Sequence, residues 1–177
     1  MCIRDRWDGV LETLQRLSPS EAWRLLPRPD VDGDVERAST WLAQQFAACP
    51  HDVRGVYLGL DTLNMALGSN VEIGISATAD VGSDEIEWTF DRNIWRGESH
   101  LIASLRSMKR AYGRRAWRDV TPDPDYTVFL GYSGVVLAAA VERASVGHDL
   151  IAAWGFHDGD MFVLGRRMPS AFELVVR

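Results

Sequence analysis

Ser133 stands in "GYSGV" (131–135), a stretch that resembles the GxSxG nucleophile elbow. In that motif a strained strand-to-helix turn presents a serine hydroxyl beside backbone N–H groups that hold an oxyanion. Val135 stands where the second glycine belongs, and a branched side chain there obstructs the close strand-helix approach an elbow needs. The plainer reading makes Ser133 the N-cap of a helix starting at Gly134, a position serine favours. "FHDGDMF" sets His157, Asp158 and Asp160 around a tight turn, with His148 and Asp149 one strand earlier. Imidazole and carboxylate together form an acid-base pair or ligate a divalent cation. Ser133, His157 and Asp158 are therefore the candidate catalytic residues, and His157 and Asp160 the candidate metal ligands. Asp-Gly is equally what a two-residue hairpin turn asks of its backbone. "DVDGDVE" alternates Asp30, Asp32 and Asp34 like the opening of a calcium loop, but Val35 and Trp41 stand where that loop needs Gly and Glu. Asp34 as a helix N-cap accounts for the run.

A second group suits binding more than catalysis. Asp61, Glu72 and Glu87 fall on the polar positions of three alternating segments, with Gly59, Gly74 and Ser76 leaving room beside them. Grouped carboxylates hold a cation, act as general acid and base, or receive a basic partner; an exposed antiparallel face is also polar by default. Glycine inside a strand costs stability and often marks close approach by another group. The loop after Asp61 carries Leu63, Met65 and Leu67, apolar side chains that either meet a partner or fold back over the core. Arg106, Lys109, Arg110, Arg114, Arg115 and Arg118 cluster near Trp117, but helix C-termini attract basic residues without any nucleic acid.

The elements that must position these residues follow from periodicity. Trp7, Val10, Leu11, Leu14 and Leu17 recur at helical spacing, predicting a first helix to about Leu17. "SPSEAWRLLP" reads as a short second helix opened by Ser18 and stopped at Pro27, and a third runs from Val35 to Ala48. The period then changes to two. "VYLGLD", "VEIGISAT" and "IEWTFD" predict three half-buried antiparallel strands in which Ile75 faces Phe90 and Ala77 faces Trp88. A fourth helix follows in "SHLIASLRSMKRAYG", capped by Ser99; "YTVFL" reads as a strand and 134–144 as a fifth helix. Two apolar runs around Asp158-Gly159 predict a hairpin, and "AFELVVR" a last strand. The fold class expected is α+β, with a mainly antiparallel sheet made from the three-stranded meander, the C-terminal hairpin and the last strand.

Bulk properties narrow the function. The 177 residues, 46% hydrophobic, suffice for one core, and the net charge of -6 argues against nucleic acid, whose phosphates need clustered cations. Met1–Arg6 match the translation of a transposase mosaic end used in preparing sequencing libraries, so these six residues are read as adapter-derived. Residues 7–177 are then expected to form one α+β domain whose natural N-terminus lies upstream. Setting aside Arg4, Arg6 and Asp5 leaves 17 basic and 24 acidic residues, a charge of -7. Setting aside Cys2 leaves Cys49 as a lone thiol, which fits a reducing, cytoplasmic compartment. No stretch has the ~18 apolar residues of a membrane helix. The expectation is a small acidic protein-binding module without a cofactor, using Asp61, Glu72, Glu87, Leu63, Met65 and Leu67 against a partner with a basic surface. At the level of charge and fold class this resembles toxin-neutralising immunity proteins. The alternative is a small hydrolase or divalent-metal enzyme built on the hairpin His and Asp residues.

Overall fold

The computed structural model describes residues 3–61, 71–81, 93–112, 124–144, 146, 149–156, 161–168 and 171–174. Helix α1 spans Ile3–Leu17 and buries Trp7 and Leu14, as its spacing predicts. A 3-10 turn over Glu21–Leu25 follows, opened by Ser20, whose side chain accepts from the Ala22 N–H, and not by Ser18. The Ser18 carbonyl instead receives the indole N–H of Trp23 at 2.7 Å. Helix α2 covers Val31–Ala48, one turn more than the pattern suggests, because Asp30 is its N-cap and accepts from the Gly33 N–H. That leaves Asp34 inside the first turn and turned into the core, its side chain fully buried.

Strands β1 (Gly55–Asp61) and β2 (Glu72–Thr78) fall where the period of two puts them. Beyond β2 come two short strands, β3 (Trp95–Arg96) and β4 (His100–Leu101), both antiparallel to β2. Ala77 is thus paired with Trp95, where the pattern suggests Trp88; the segment 86–91 lies outside the described residues. Helix α3 is Ala103–Tyr112, starting four residues after Ser99 because β4 intervenes. Helix α4 is continuous over Pro124–Arg143, so "YTVFL" is helical and not a strand. Proline suits the first helical position. Strands β5 (Leu150–Phe156), β6 (Met161–Met168) and β7 (Ala171–Leu174) complete the sheet.

The fold is α+β, and the described strands form one seven-stranded sheet in the order β3-β2-β1-β5-β6-β7, with β4 also on β2. The sheet is mixed: β1 and β5 run parallel, and the other pairs are antiparallel. Among the described residues, β2, β3, β4, α3 and α4 all lie between β1 and β5, a connection long enough for the crossover that parallel neighbours require. Alternation then sorts the side chains. Val56, Leu58, Leu60, Ile73, Ile75 and Ala77 enter the main core with α1 to α4. Each fully buried aliphatic side chain there contributes about 1.5–3 kcal/mol. On the opposite face Tyr57 and Ala153 form a smaller cluster with Val81, Ile151 and Met161. Among the described residues no helix is long and apolar enough to cross a membrane.

Candidate functional site: a recess on the sheet face away from the helices

Gly59 and Gly74 are direct partners across β1 and β2, and Gly59 is also in register with Gly155 of β5. Gly59 and Gly74 lie on the floor of a recess of about 360 Å³. Tyr57, Asp61, Ser76, Asn93, Arg96 and Gly97 line it together with those glycines and Ile75. That volume is at the small end of ligand pockets, about 300–1,000 Å³.

The two glycines do different work. A Cβ on Gly59 would come within 2.9 Å of the Tyr57 ring, which leans across it. Tyr57 is held there by its hydroxyl, which donates to the Phe156 carbonyl at 2.7 Å, and it is only 2% exposed. Gly59 is therefore needed by the wall. A Cβ on Gly74 would meet nothing closer than the Gly59 carbonyl at 3.8 Å. Gly74 is simply open space.

At one end of the recess β1 and β2 place Asp61 directly opposite Glu72, both half-buried. Like charges facing each other across a strand pair destabilise it, typically by some tenths of a kcal/mol. Ser99 offsets part of this by donating its hydroxyl to a Glu72 oxygen at 2.9 Å. At the other end Ser76 pairs with exposed Arg96. The wall carrying Arg96 and Gly97 is tied to α2: the Trp41 indole N–H donates to the Glu98 carbonyl, and the Glu98 N–H to the Gln45 side-chain oxygen, each at 3.0 Å. His100 stacks on Trp41 with ring centroids 5.0 Å apart, and burial lowers its pKa from the usual 6.5.

Of the residues singled out from sequence, the structure brings Asp61 and Glu72 together. Glu87, Leu63, Met65, Leu67, His157, Asp158, Asp160 and His148 lie outside the described residues; Asp149 forms an exposed ion pair with Arg166 at 2.9 Å. Ser133 is on no strand-to-helix turn and caps no helix. It sits within α4, 0% exposed, its hydroxyl donating to the Leu130 carbonyl. The glycines around it serve packing: a Cβ on Gly131 would be 3.1 Å from Val10 of α1, and one on Gly134 would be 2.6 Å from the Trp154 ring. Cys49 is a free, buried thiol whose pKa burial pushes up to about 11, so it stays protonated at neutral pH. Among the described residues no three His, Cys, Asp or Glu side chains group as a metal site.

Sequence reasoning missed Arg96, whose two-residue strand gives no periodic signal. It also missed the buried polar cluster at Asp34, which accepts from the Tyr132 hydroxyl at 2.9 Å, the Ser104 N–H at 3.2 Å and the Arg37 guanidinium at 2.6 Å. Burial pushes the Tyr132 phenol well above its usual pKa, and the hydrogen bond to Asp34 pushes Arg37 higher still. Asp34 thus anchors the start of α3 and the middle of α4 to α2.

Comparison with known proteins gives no match: no known family fits the chain, and no curated protein or solved structure is significantly similar to it.

Proposed function

We propose that this protein is a binding module whose recess on the open sheet face takes a basic side chain from a partner protein. The observation that carries the reading is Asp61, which lines the recess and stands directly opposite Glu72 across β1 and β2. Grouped carboxylates are complementary to a basic side chain of a partner. The open floor at Gly74 gives such a side chain depth. The net charge of -6 favours approach of a basic surface over longer range, and the apolar Leu63, Met65 and Leu67 follow Asp61 directly in the chain. Toxin-neutralising immunity proteins work by such charge complementarity, and this chain is proposed to act in their manner. The hydrolase alternative gains no support from Ser133, which has no access to solvent.

Backbone amide shifts recorded during titration with a lysine-rich decapeptide test the reading. Expected are saturable shifts concentrated at residues 59–61 and 72–76, absent with a glutamate-rich decapeptide. Shifts spread over the helical face, or equal with both peptides, would refute it.

A further inference from the structure

The wall of the recess that carries Arg96 and Gly97 is held by a group outside the recess. Gly97 lines the recess and also packs against α2, where a Cβ would collide with the Gln45 side-chain oxygen. The next residue, Glu98, is fixed to α2 through both of its backbone polar groups, one held by Trp41 and the other by Gln45. Two residues on, His100 completes the contact by stacking on the Trp41 ring at an interplanar angle of 18°. Its Nε2 is buried and hydrogen-bonds nothing among the described residues. A neutral imidazole tolerates this, because one of its ring nitrogens carries no proton. A protonated imidazole donates from both nitrogens, and a buried N–H without an acceptor is costly. Among the described residues the charged groups that act on the ring both come from α2, Asp34 favouring the proton and Arg37 opposing it, while its partner on β2 is the apolar Ile73. Asp34 is already engaged by Tyr132, Ser104 and Arg37. Burial outweighs the pull of Asp34, and the ring gives up its proton more readily than a free imidazole.

We propose that His100 is a pH switch on the recess: protonation of its imidazole breaks the stack on Trp41, releases the Gly97–Glu98 wall from α2 and weakens binding at the recess. This rests on the binding-module reading and deepens it. Linkage makes the effect reciprocal. A ligand that needs the docked wall binds the neutral form of His100 more tightly, so its binding drives the proton off His100. Affinity is then full above the His100 midpoint of the free protein and falls as pH drops through it.

The lysine-rich decapeptide serves as the probe. Its affinity is measured by calorimetry at pH 7.5 and 5.5, and the His100 imidazole resonance, assigned by its loss in His100→Phe, is followed through a pH titration. Expected are an affinity about threefold weaker at pH 5.5 and a His100 midpoint at lower pH in the saturated complex than in the free protein. His100→Phe, which keeps a ring on Trp41 but has no proton to gain, is expected to bind alike at both pH values. Trp41→Phe keeps the stack and loses the donor to Glu98, so there the His100 midpoint should no longer move with the peptide. A shift that persists in Trp41→Phe is direct repulsion by the charge of the peptide and overturns the switch. An unmoved His100 midpoint in the unaltered protein, or the same pH dependence in His100→Phe, overturns it too, while the recess reading stands. If the peptide does not bind at pH 7.5, both fall.

Discussion

Three glycines illustrate how differently one residue type is used. Gly74 has room for a side chain, and glycine within a strand is worth about 0.5–1 kcal/mol less than alanine. Gly74→Ala should therefore raise stability by about that amount, read as a higher urea midpoint. Gly59→Ala would push the methyl into a Tyr57 ring pinned by its bond to Phe156. Overpacking of this kind costs about 1–3 kcal/mol, and the midpoint should fall. Gly134→Ala would ordinarily strengthen a helix interior by about 1 kcal/mol. Here the Trp154 ring fills that space, and its indole N–H is held by the Leu130 carbonyl at 3.3 Å, so the substitution should destabilise instead. A stability gain at all three positions would show that the close approaches at Tyr57 and Trp154 are not constraints.

The elements are joined by buried polar contacts that link distant segments of chain. Asp34 meets Ser104 and Tyr132, 70 and 98 residues away. Asp34→Ala takes the acceptor from two buried donors, the Ser104 N–H and the Tyr132 hydroxyl, at a cost of about 1–3 kcal/mol apiece, while half-exposed Arg37 keeps its ion pair with Asp30; Tyr132→Phe removes one hydrogen bond and should cost about 1–2 kcal/mol. Both are measurable by denaturant unfolding at pH 7. His100 gives the tie between α2 and the recess wall a pH dependence. Asp34 faces it with a charge that favours protonation and Arg37 with one that opposes it, but burial outweighs both and lowers its pKa. A lowered value means that the unfolded chain takes the proton first, so this contribution to stability is intact above about pH 6.5 and declines as pH falls below it. The protein should lose more stability between pH 7.5 and 5.5 than His100→Phe, which keeps a ring against Trp41. Strands β1 and β2 were legible because one face is buried and the other polar, which imposes the alternation of Val56, Leu58 and Leu60. Helix α4 was legible only over its second half, from Gly134; its first half was not, because Val128, Phe129 and Tyr132 are all fully buried and little amphipathic contrast survives there. Asp34 was misread for a related reason: an acid early in a helix looks the same whether it caps its own turn or reaches across the core.

At the scale of the whole molecule, among the described residues, helices α1 to α4 share the main core with one face of the sheet, and the other face carries a small cluster around Tyr57 and a recess beside it. The approach of Asp61 and Glu72 was readable from sequence, since they occupy polar positions of adjacent alternating strands. The basic end of the recess was not, because Arg96 reaches it only through pairing of a two-residue strand with Ser76. Electrostatic attraction between an acidic protein and a basic partner is screened by salt, with a Debye length of about 10 Å at 0.1 M. Binding of lysine-bearing peptides should therefore weaken between 50 and 500 mM salt, whereas an interaction carried by apolar contacts alone would hold or strengthen. The most direct test of the central claim is the affinity of Gly74→Val for such a peptide, measured by calorimetry beside its urea midpoint. The recess reading predicts an unchanged or higher midpoint with at least a tenfold loss of affinity, because the valine fits the fold and fills the recess. Undiminished affinity in a fully folded Gly74→Val protein would contradict it.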